Sequence, residues 1–334
     1  MKHLLFAVCL LLSAFSFSSC NKDDDDTDAI VGVWSAGAQF EGPPRNGAVS
    51  FTIGNRAYVG LGWNGVDKYK DFWEYNPDNR TWRQLADFPG VARYQATAFA
   101  VNGKGYVGTG YDGTNRLNDF YEFDPAGNNG KGSWTKKQNF GGSARYGAVG
   151  LSIGSKGYIG TGYDGANKKD FWEYNPGSDS WTQKASLFGN KRIGAMSFTI
   201  GNVGYIVSGT DNGINLTDNE AYDPNTDTWT TLRTLTNNTD EDYDYSRVAR
   251  NNGVSFVVNG KGYVALGNTS TTNPIDCWEY NPDADTWTQK TDFTGSPRTY
   301  GVGFGLGNTG YVATGASGTT RLDDVWQLAP DETN

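Results

Sequence analysis

The sequence predicts an all-β fold in which six repeated units of four strands close into a ring. Composition gives the first indication, because 45 glycines and 14% aromatic residues among 334 suit short strands joined by tight turns. The second is a segment that recurs along the chain at intervals of about 50 residues. The third is a strand that is missing from the last unit and present at the start of the chain.

The repeats are visible as near-identical segments, which should be sought before other features. The segment DFWEYNP at residues 71–77 recurs at residues 170–176, and again at residues 276–282 with Cys277 in place of phenylalanine. We therefore predict that Cys277 is a core thiol. One arginine opens each unit: Arg45, Arg93, Arg145, Arg192, Arg250 and Arg298.

Each unit divides into four strands, a to d. Strand a alternates apolar and polar residues, and a pair such as Gly54-Asn55 then turns the chain, since such pairs adopt positive φ easily. Strand b ends in Gly-x-Gly or a close variant, where glycines allow neighbouring backbones to approach closely. Strand c is the Trp-Glu-Tyr segment. Strand d begins at a tryptophan: Trp82, Trp134, Trp181, Trp229 and Trp287.

The chain has six units, each opened by an arginine, but only five of these strand d tryptophans follow them. The sixth unit ends after strand c at residues 326–330, whereas residues 32–35, Gly-Val-Trp-Ser, have the sequence of a strand d. We therefore predict that the N-terminal strand completes the last blade and closes the ring, because closure removes exposed strand edges.

The glycines and Tyr58 of strand b, followed about 24 residues later by Trp82, resemble the kelch family, whose repeats are about 50 residues long. The resemblance covers residues 30–330 and implies a six-bladed kelch-type β-propeller like the central domain of galactose oxidase, without its copper ligands. The sequence departs from the family pattern in two ways. Strand b ends in Gly-x-Gly, whereas the family has two adjacent glycines, and unit 4 has Glu220-Ala221-Tyr222 where other units have Trp-Glu-Tyr. Residues 331–334 form a C-terminal tail.

The N-terminus has the pattern of a secretory signal peptide over residues 1–19. A charged start precedes an apolar run at residues 4–12 that is too short to span a bilayer, and Phe17-Ser18-Ser19-Cys20 resembles a lipobox. We expect a lipid on Cys20, an acidic tether over residues 20–29, and a surface-exposed lipoprotein anchored to the outer membrane. The alternative is an ordinary cleaved signal with a chance cysteine.

The candidate site follows from strand direction, which places the b–c and d–a loops and all six arginines on one face. Six cations around a channel mouth would attract an anionic ligand. The alternative is that each arginine binds a backbone carbonyl or an acidic loop residue of a neighbouring blade. An inserted acidic loop at residues 234–246 either covers this ring as a lid or neutralises it.

Aromatic residues accompany the arginines in the same loops. Flat apolar faces beside fixed hydrogen-bonding groups are typical of carbohydrate or peptide sites, although aromatic packing within the loops is the alternative. The ligand-binding candidates are therefore the six arginines together with Trp63, Tyr94, Tyr111, Tyr146 and Tyr163.

Charge and histidine content exclude several functions. A net charge of −9 argues against nucleic-acid binding. The only histidine is His3, so the mature chain lacks the ligands of copper-radical and imidazole–zinc chemistry and the base of a serine triad. We expect no cofactor and no metal, although calcium binding stays open, and we assign no catalytic residue.

The preferred function is that of a monomeric, non-catalytic surface protein that binds a glycan or a protein through the arginine-lined face of the propeller. The alternative is a carbohydrate-active enzyme, such as a sialic acid epimerase that uses carboxylate and arginine chemistry.

Overall fold

The computed structural model of the chain describes residues 30–237 and 241–333. The predictions for the signal peptide, Cys20 and the acidic tether lie outside these residues. Within the described part, no helix is long and apolar enough to cross a membrane. The helical content there is two short 3₁₀ turns, at Asn128–Gly130 and Ser246–Val248.

The described strands form six antiparallel sheets of four strands each, in the order a-b-c-d, which we number as blades 1 to 6. Strands a are Val49–Ile53, Thr97–Val101, Val149–Ile153, Met196–Ile200, Val254–Val258 and Val302–Leu306. Strands b are Arg56–Gly60, Lys104–Gly108, Lys156–Gly160, Val203–Val207, Lys261–Ala265 and Thr309–Ala313. Strands c are Phe72–Asn76, Phe120–Asp124, Phe171–Asn175, Asn219–Asp223, Cys277–Asn281 and Val325–Ala329. Strands d are Thr81–Gln84, Ser133–Lys137, Ser180–Lys184, Thr228–Thr231, Thr286–Lys290 and, for blade 6, Val33–Ala36.

Two b–c loops carry small hairpins of their own. Thr210–Asp211 pairs with Ile214–Asn215 in blade 4, and Ala316–Ser317 pairs with Thr320–Arg321 in blade 6.

The six sheets form a closed ring. Each strand a contacts the strands a of the two neighbouring blades, and the strand a of blade 6 contacts that of blade 1. Blade 6 is completed by the N-terminal strand, in which Val33 lies opposite Ala329 and Ala36 opposite Trp326. The prediction of a six-bladed β-propeller closed by its N-terminal strand is therefore confirmed.

Aromatic side chains fill the space between blades. Trp134 of blade 2 donates its indole N–H to the carbonyl of Ala86, just after strand d of blade 1, at 3.0 Å, and Phe88 lies edge-on to the same indole. Trp34 makes the corresponding bond to Thr291 at the closure, also at 3.0 Å. The closing strand thus repeats the packing of the other blades.

Cys277 lies in the core, as predicted, with no exposed surface. Burial raises the pKa of its thiol to about 12, so the thiol stays protonated at neutral pH and behaves as a small apolar side chain.

Blade 4 replaces the strand c tryptophan with a buried carboxyl group. Glu220 is 1% exposed and accepts hydrogen bonds from the backbone N–H groups of Phe188 and Gly189 at 2.8 and 2.9 Å. Burial raises the pKa of Glu220 despite these bonds and the nearby charge of Arg192. The substitution therefore exchanges aromatic packing for a buried polar contact between blades.

Candidate ligand-binding site

The six arginines do not project into solvent, because every one of them is at most 1% exposed. Arg145 is representative. Its guanidinium donates two hydrogen bonds to Asp170, at 2.6 and 2.8 Å, and one to the carbonyl of Thr161 at 2.8 Å. Its Nε donates to the carbonyl of Ser143 at 3.1 Å, and the guanidinium lies 5.0 Å from the centre of the Phe140 ring.

The same arrangement recurs around the ring. Every arginine pairs with the aspartate that precedes strand c of its own blade, 25 or 26 residues further along the chain. The pairs are Arg45–Asp71, Arg93–Asp119, Arg145–Asp170, Arg192–Asp218, Arg250–Asp276 and Arg298–Asp324.

The backbone of each arginine links its blade to the preceding one. The carbonyl of Arg93 accepts a hydrogen bond from the N–H of Gly62 at 2.8 Å, and equivalent bonds join the other five blade pairs. Gly62 has a φ of +94°, and a Cβ there would lie 2.8 Å from the carbonyl oxygen of Asn46. The second glycine of each Gly-x-Gly is therefore required by its positive φ and by the close approach of the backbone at the start of strand a in its own blade.

The arginines thus brace the propeller through their main chains and their side chains. Their donors are used within the protein, and the carboxylate partner lies in the same blade, not in a neighbouring blade as the sequence analysis considered. This geometry favours the structural alternative over an arginine rim that attracts anions.

The five aromatic candidates, in contrast, come together on the face formed by the b–c and d–a loops. Their ring centres are 5.1 Å apart for Trp63 and Tyr94, 5.7 Å for Tyr94 and Tyr111, 5.3 Å for Tyr111 and Tyr146, and 5.6 Å for Tyr146 and Tyr163. We call this continuous line of half-buried rings the aromatic row.

Backbone pairing between the two loops of a blade positions the row. The residue after each arginine forms an isolated β-bridge with the residue after Gly-x-Gly, and this bridge pairs Tyr94 with Tyr111 and Tyr146 with Tyr163. Asn46 is paired with Trp63 in the same way in blade 1. Neighbouring side chains of the row therefore project from fixed backbone.

Asparagines lie across from the row, on blades 4 and 5. Asn251 donates to the side-chain oxygen of Asn215 at 2.6 Å, and Asn252 donates to that of Asn251 at 2.5 Å. Asn268 donates to Asn273 at 2.9 Å. Asn251 and Asn268 occupy the bridge positions that are Tyr94 and Tyr111 in blade 2. These asparagines were not predicted from the sequence, although alignment of the repeats places Asn251 and Asn268 at the positions of the tyrosines.

The three central tyrosines of the row and three of the asparagines enclose a depression of about 440 Å³, which we call the cup. Trp63 and Tyr163, at the two ends of the row, lie outside its lining. None of the described residues that line it is an aspartate, glutamate, lysine or arginine. The lining residues are Tyr94, Gln95, Tyr111, Tyr146, Ile193, Thr210, Gly213, Asn251, Asn252, Asn268 and Tyr300.

Charged side chains lie at the two ends of the aromatic row. The guanidinium of Arg321 lies 5.3 Å from the ring of Trp63, and that of Arg116 lies 5.0 Å from the ring of Tyr163. Between these ends the cup is neutral, and burial raises the pKa of Tyr94 and Tyr146. Their hydroxyl groups are therefore protonated at neutral pH and available as hydrogen-bond donors.

The described part of the acidic loop, residues 234–237 and 241–246, packs on blade 5. Tyr245 is buried edge-on to Trp278, and Tyr243 stacks on Tyr245 with ring centres 4.9 Å apart. Glu241 pairs with Arg233 at 2.5 Å. None of these loop residues lines the cup, so the described part of the loop is not a lid.

No group of three or more histidine, cysteine, aspartate or glutamate side chains that could hold a metal ion occurs among residues 30–237 and 241–333.

The fold and the repeated bracing define a six-bladed, kelch-type β-propeller with a neutral aromatic and amide cup on one face. Among solved structures, the chain is similar to that of YjhT, with a TM-score of 0.70 and 17% sequence identity over 87% of this chain and 96% of YjhT. At this identity, the similarity concerns the fold. No protein-family model and no curated protein matches the chain.

Proposed function

We propose that this protein is a non-catalytic, lipid-anchored surface protein that binds an uncharged glycan in the cup. The observation that carries the proposal is that tyrosines of the aromatic row face asparagine amides within a depression of about 440 Å³. Aromatic rings stack on the apolar faces of sugar rings, while amide and phenol groups hydrogen-bond to sugar hydroxyls. The volume is within the usual range of small-ligand sites, roughly 300–1,000 Å³.

The charge of the lining supports an uncharged ligand. An anionic sugar needs a cation to replace its hydration, and the arginines of the ring are already paired with aspartates beneath the surface. The exposed guanidinium of Arg116 lies beyond the cup, at one end of the row.

The position of the chain ends supports a surface role. Val33, at the start of the closing strand, lies level with Ala329 at the end of strand c, and Asp331 accepts a hydrogen bond from Asn259 in an a–b turn. These turns lie on the face opposite the cup. A lipid on Cys20 would therefore hold the propeller with its cup directed away from the membrane.

A protein ligand is the second candidate, and exposed apolar side chains around the cup favour it. Val66, Phe188 and Ile214 are 80%, 66% and 69% exposed in loops of this face. Such side chains are typical of protein interfaces when they are contiguous.

An epimerase would need an acid and a base beside the sugar. The described lining of the cup supplies tyrosine hydroxyls but no carboxylate, which favours binding over turnover. Incubation with free sialic acid, followed by NMR of the anomeric carbon, tests this alternative directly. A rate above the uncatalysed one would replace the binding proposal.

A glycan array tests the proposed function, with the mature chain carrying Cys20→Ala as the probe protein. We expect binding to neutral glycans that is lost in Tyr111→Ala and kept in Tyr243→Ala, which removes a half-buried tyrosine outside the cup. Binding to acidic glycans alone, or equal binding by Tyr111→Ala, would contradict the proposal.

A further inference from the structure

The backbone at the mouth of the central channel forms a closed ring of its own. The second residue after each arginine donates its N–H to the carbonyl of the equivalent residue in the preceding blade, at 2.8–3.1 Å, all the way around the propeller. All six of these residues have φ between +51° and +64°. They are Gly47, Gln95, Gly147, Gly194, Asn252 and Tyr300.

Three of the six positions are glycine, the residue that adopts this left-handed conformation without a steric penalty. The other three are Gln95, Asn252 and Tyr300, with φ of 51°, 53° and 55°. Asparagine tolerates this region moderately well, whereas glutamine and tyrosine adopt it rarely. Because glycine completes the same backbone ring in the sister blades, the ring itself does not require these three side chains.

All three side chains line the cup, and they also lie at the top of the channel beneath it. Among the described residues, neither the side-chain amide of Gln95 nor the hydroxyl of Tyr300 has a hydrogen-bond partner. Asn252 uses its amide N–H on Asn251. The floor of the cup therefore presents unused polar groups on a rigid, strained backbone, a combination found where side-chain placement serves function.

We infer that Gln95, Asn252 and Tyr300 form a floor subsite that recognises the hydroxyl groups of a terminal, uncharged sugar. This inference rests on the proposed function and specifies the part of the ligand that enters deepest. The aromatic row contacts the apolar faces of the glycan. The floor contacts the hydroxyls of its last ring, because these three side chains lie at the bottom of the cup, where the channel begins.

Glycine substitution separates binding from folding at these positions. Gln95→Gly and Tyr300→Gly each remove the side chain and leave a residue that favours the observed φ. Tyr300→Phe removes only the hydroxyl. Asn102→Gly is the matched control, since Asn102 also has a φ of 51° but lies in the a–b turn of blade 2, on the opposite face.

The probes are maltotriose, cellotriose, mannotriose and xylotriose, titrated calorimetrically into the mature chain carrying Cys20→Ala. For each trisaccharide that the parent binds, we expect at least tenfold weaker affinity in Gln95→Gly and Tyr300→Gly, and a smaller loss in Tyr300→Phe. Affinity in Asn102→Gly should be unchanged. The melting temperature of Gln95→Gly should stay within about 3 °C of the parent.

Equal affinity of the parent and the glycine variants would overturn the floor subsite and leave the proposed function intact. A fall of more than about 10 °C in the melting temperature of Gln95→Gly would also overturn it, because the side chain would then serve the fold. Failure of the parent to bind any of the four trisaccharides would refute both the proposed function and this inference.

Discussion

Arg145 and Tyr146 are adjacent in sequence, yet the structure gives them opposite roles. Arg145 is buried against Asp170 and three groups of its own blade, whereas Tyr146 lines the cup. We therefore predict that Arg145→Ala lowers stability and leaves glycan binding intact in the folded fraction, while Tyr146→Ala does the reverse.

The size of the stability loss follows from the contacts of Arg145. Removing the guanidinium leaves the Asp170 carboxylate with the indole N–H of Trp172 at 2.8 Å as its remaining side-chain partner. Breaking one partner out of a buried ion pair costs about 3–5 kcal/mol. With an unfolding entropy of about 2.1 cal/mol/K per residue over roughly 300 residues, the melting temperature should fall by about 5–8 °C.

The pH dependence provides a second measure of the same pair. Burial tends to raise the pKa of Asp170, but the hydrogen bonds and charge of Arg145 outweigh it, so the net pKa is lowered. An aspartate with a lowered native pKa contributes stability above about pH 3.8 that is lost as the pH falls through the native value. In Arg145→Ala, the free energy of unfolding should therefore fall less steeply as the pH is lowered.

Calorimetric melting and glycan titration on both single variants decide the matter. Tyr146→Ala should weaken binding at least tenfold, about 1.4 kcal/mol, and shift the melting temperature by no more than about 3 °C. Arg145→Met combined with Asp170→Leu should recover part of the stability, since no unpaired charge remains. An unchanged melting temperature in Arg145→Ala together with lost binding would refute the bracing role.

Three further predictions concern closure, blade 4 and the anchor. Deleting residues 30–36 should remove Trp34 from the core and expose the edge of blade 6, with a loss of several kcal/mol or aggregation; an unchanged melting temperature would contradict closure. Because the folded pKa of Glu220 is raised above its unfolded value of about 4.5, the folded state holds its proton more tightly, and stability should fall as pH rises from 4.5 to the raised value. Urea unfolding of Glu220→Gln should lack this decline, and identical pH profiles would count against it. Cys20→Ala should release the protein from the membrane fraction or leave an unprocessed precursor; unchanged membrane association with normal processing would contradict the lipid anchor.

The fold could be predicted from the sequence because the same pattern of strands and turns occurs six times along the chain. The turn glycines recur along the chain, strand c is closely similar in most units, and five units carry a strand d tryptophan. The missing sixth tryptophan was therefore enough to identify Trp34 as part of the closing strand. Long-range pairing is normally hard to predict, but here it follows from counting repeat elements.

The role of the arginines could not be predicted, because a repeated arginine is compatible with either a binding rim or an internal brace. The deciding information was the partner. An aspartate precedes strand c in every unit, from Asp71 to Asp324, and its constant spacing of 25 or 26 residues from the arginine that opens the unit could have suggested the pairing.

The cup was predicted in part. The aromatic residues were visible as exceptions within the repeated loops, whereas the opposing wall is made by asparagines that resemble ordinary turn residues. Its neutrality depends on which charged groups are buried, and the left-handed φ of Gln95 and Tyr300 is a property of the closed backbone ring rather than of either residue.

We propose that the cup binds the ligand and that the buried arginines stabilise the propeller. A crystal structure of the mature chain with a neutral trisaccharide that it binds would locate the sugar. We expect a sugar ring stacked on Tyr111 or Tyr146, with its hydroxyls within hydrogen-bonding distance of Gln95 and Tyr300. A sugar bound outside the cup, in the separate groove that is lined by Arg247, Asn273 and Asp276, would contradict it. So would a sugar that contacts the ring arginines after they turn outward from their aspartates.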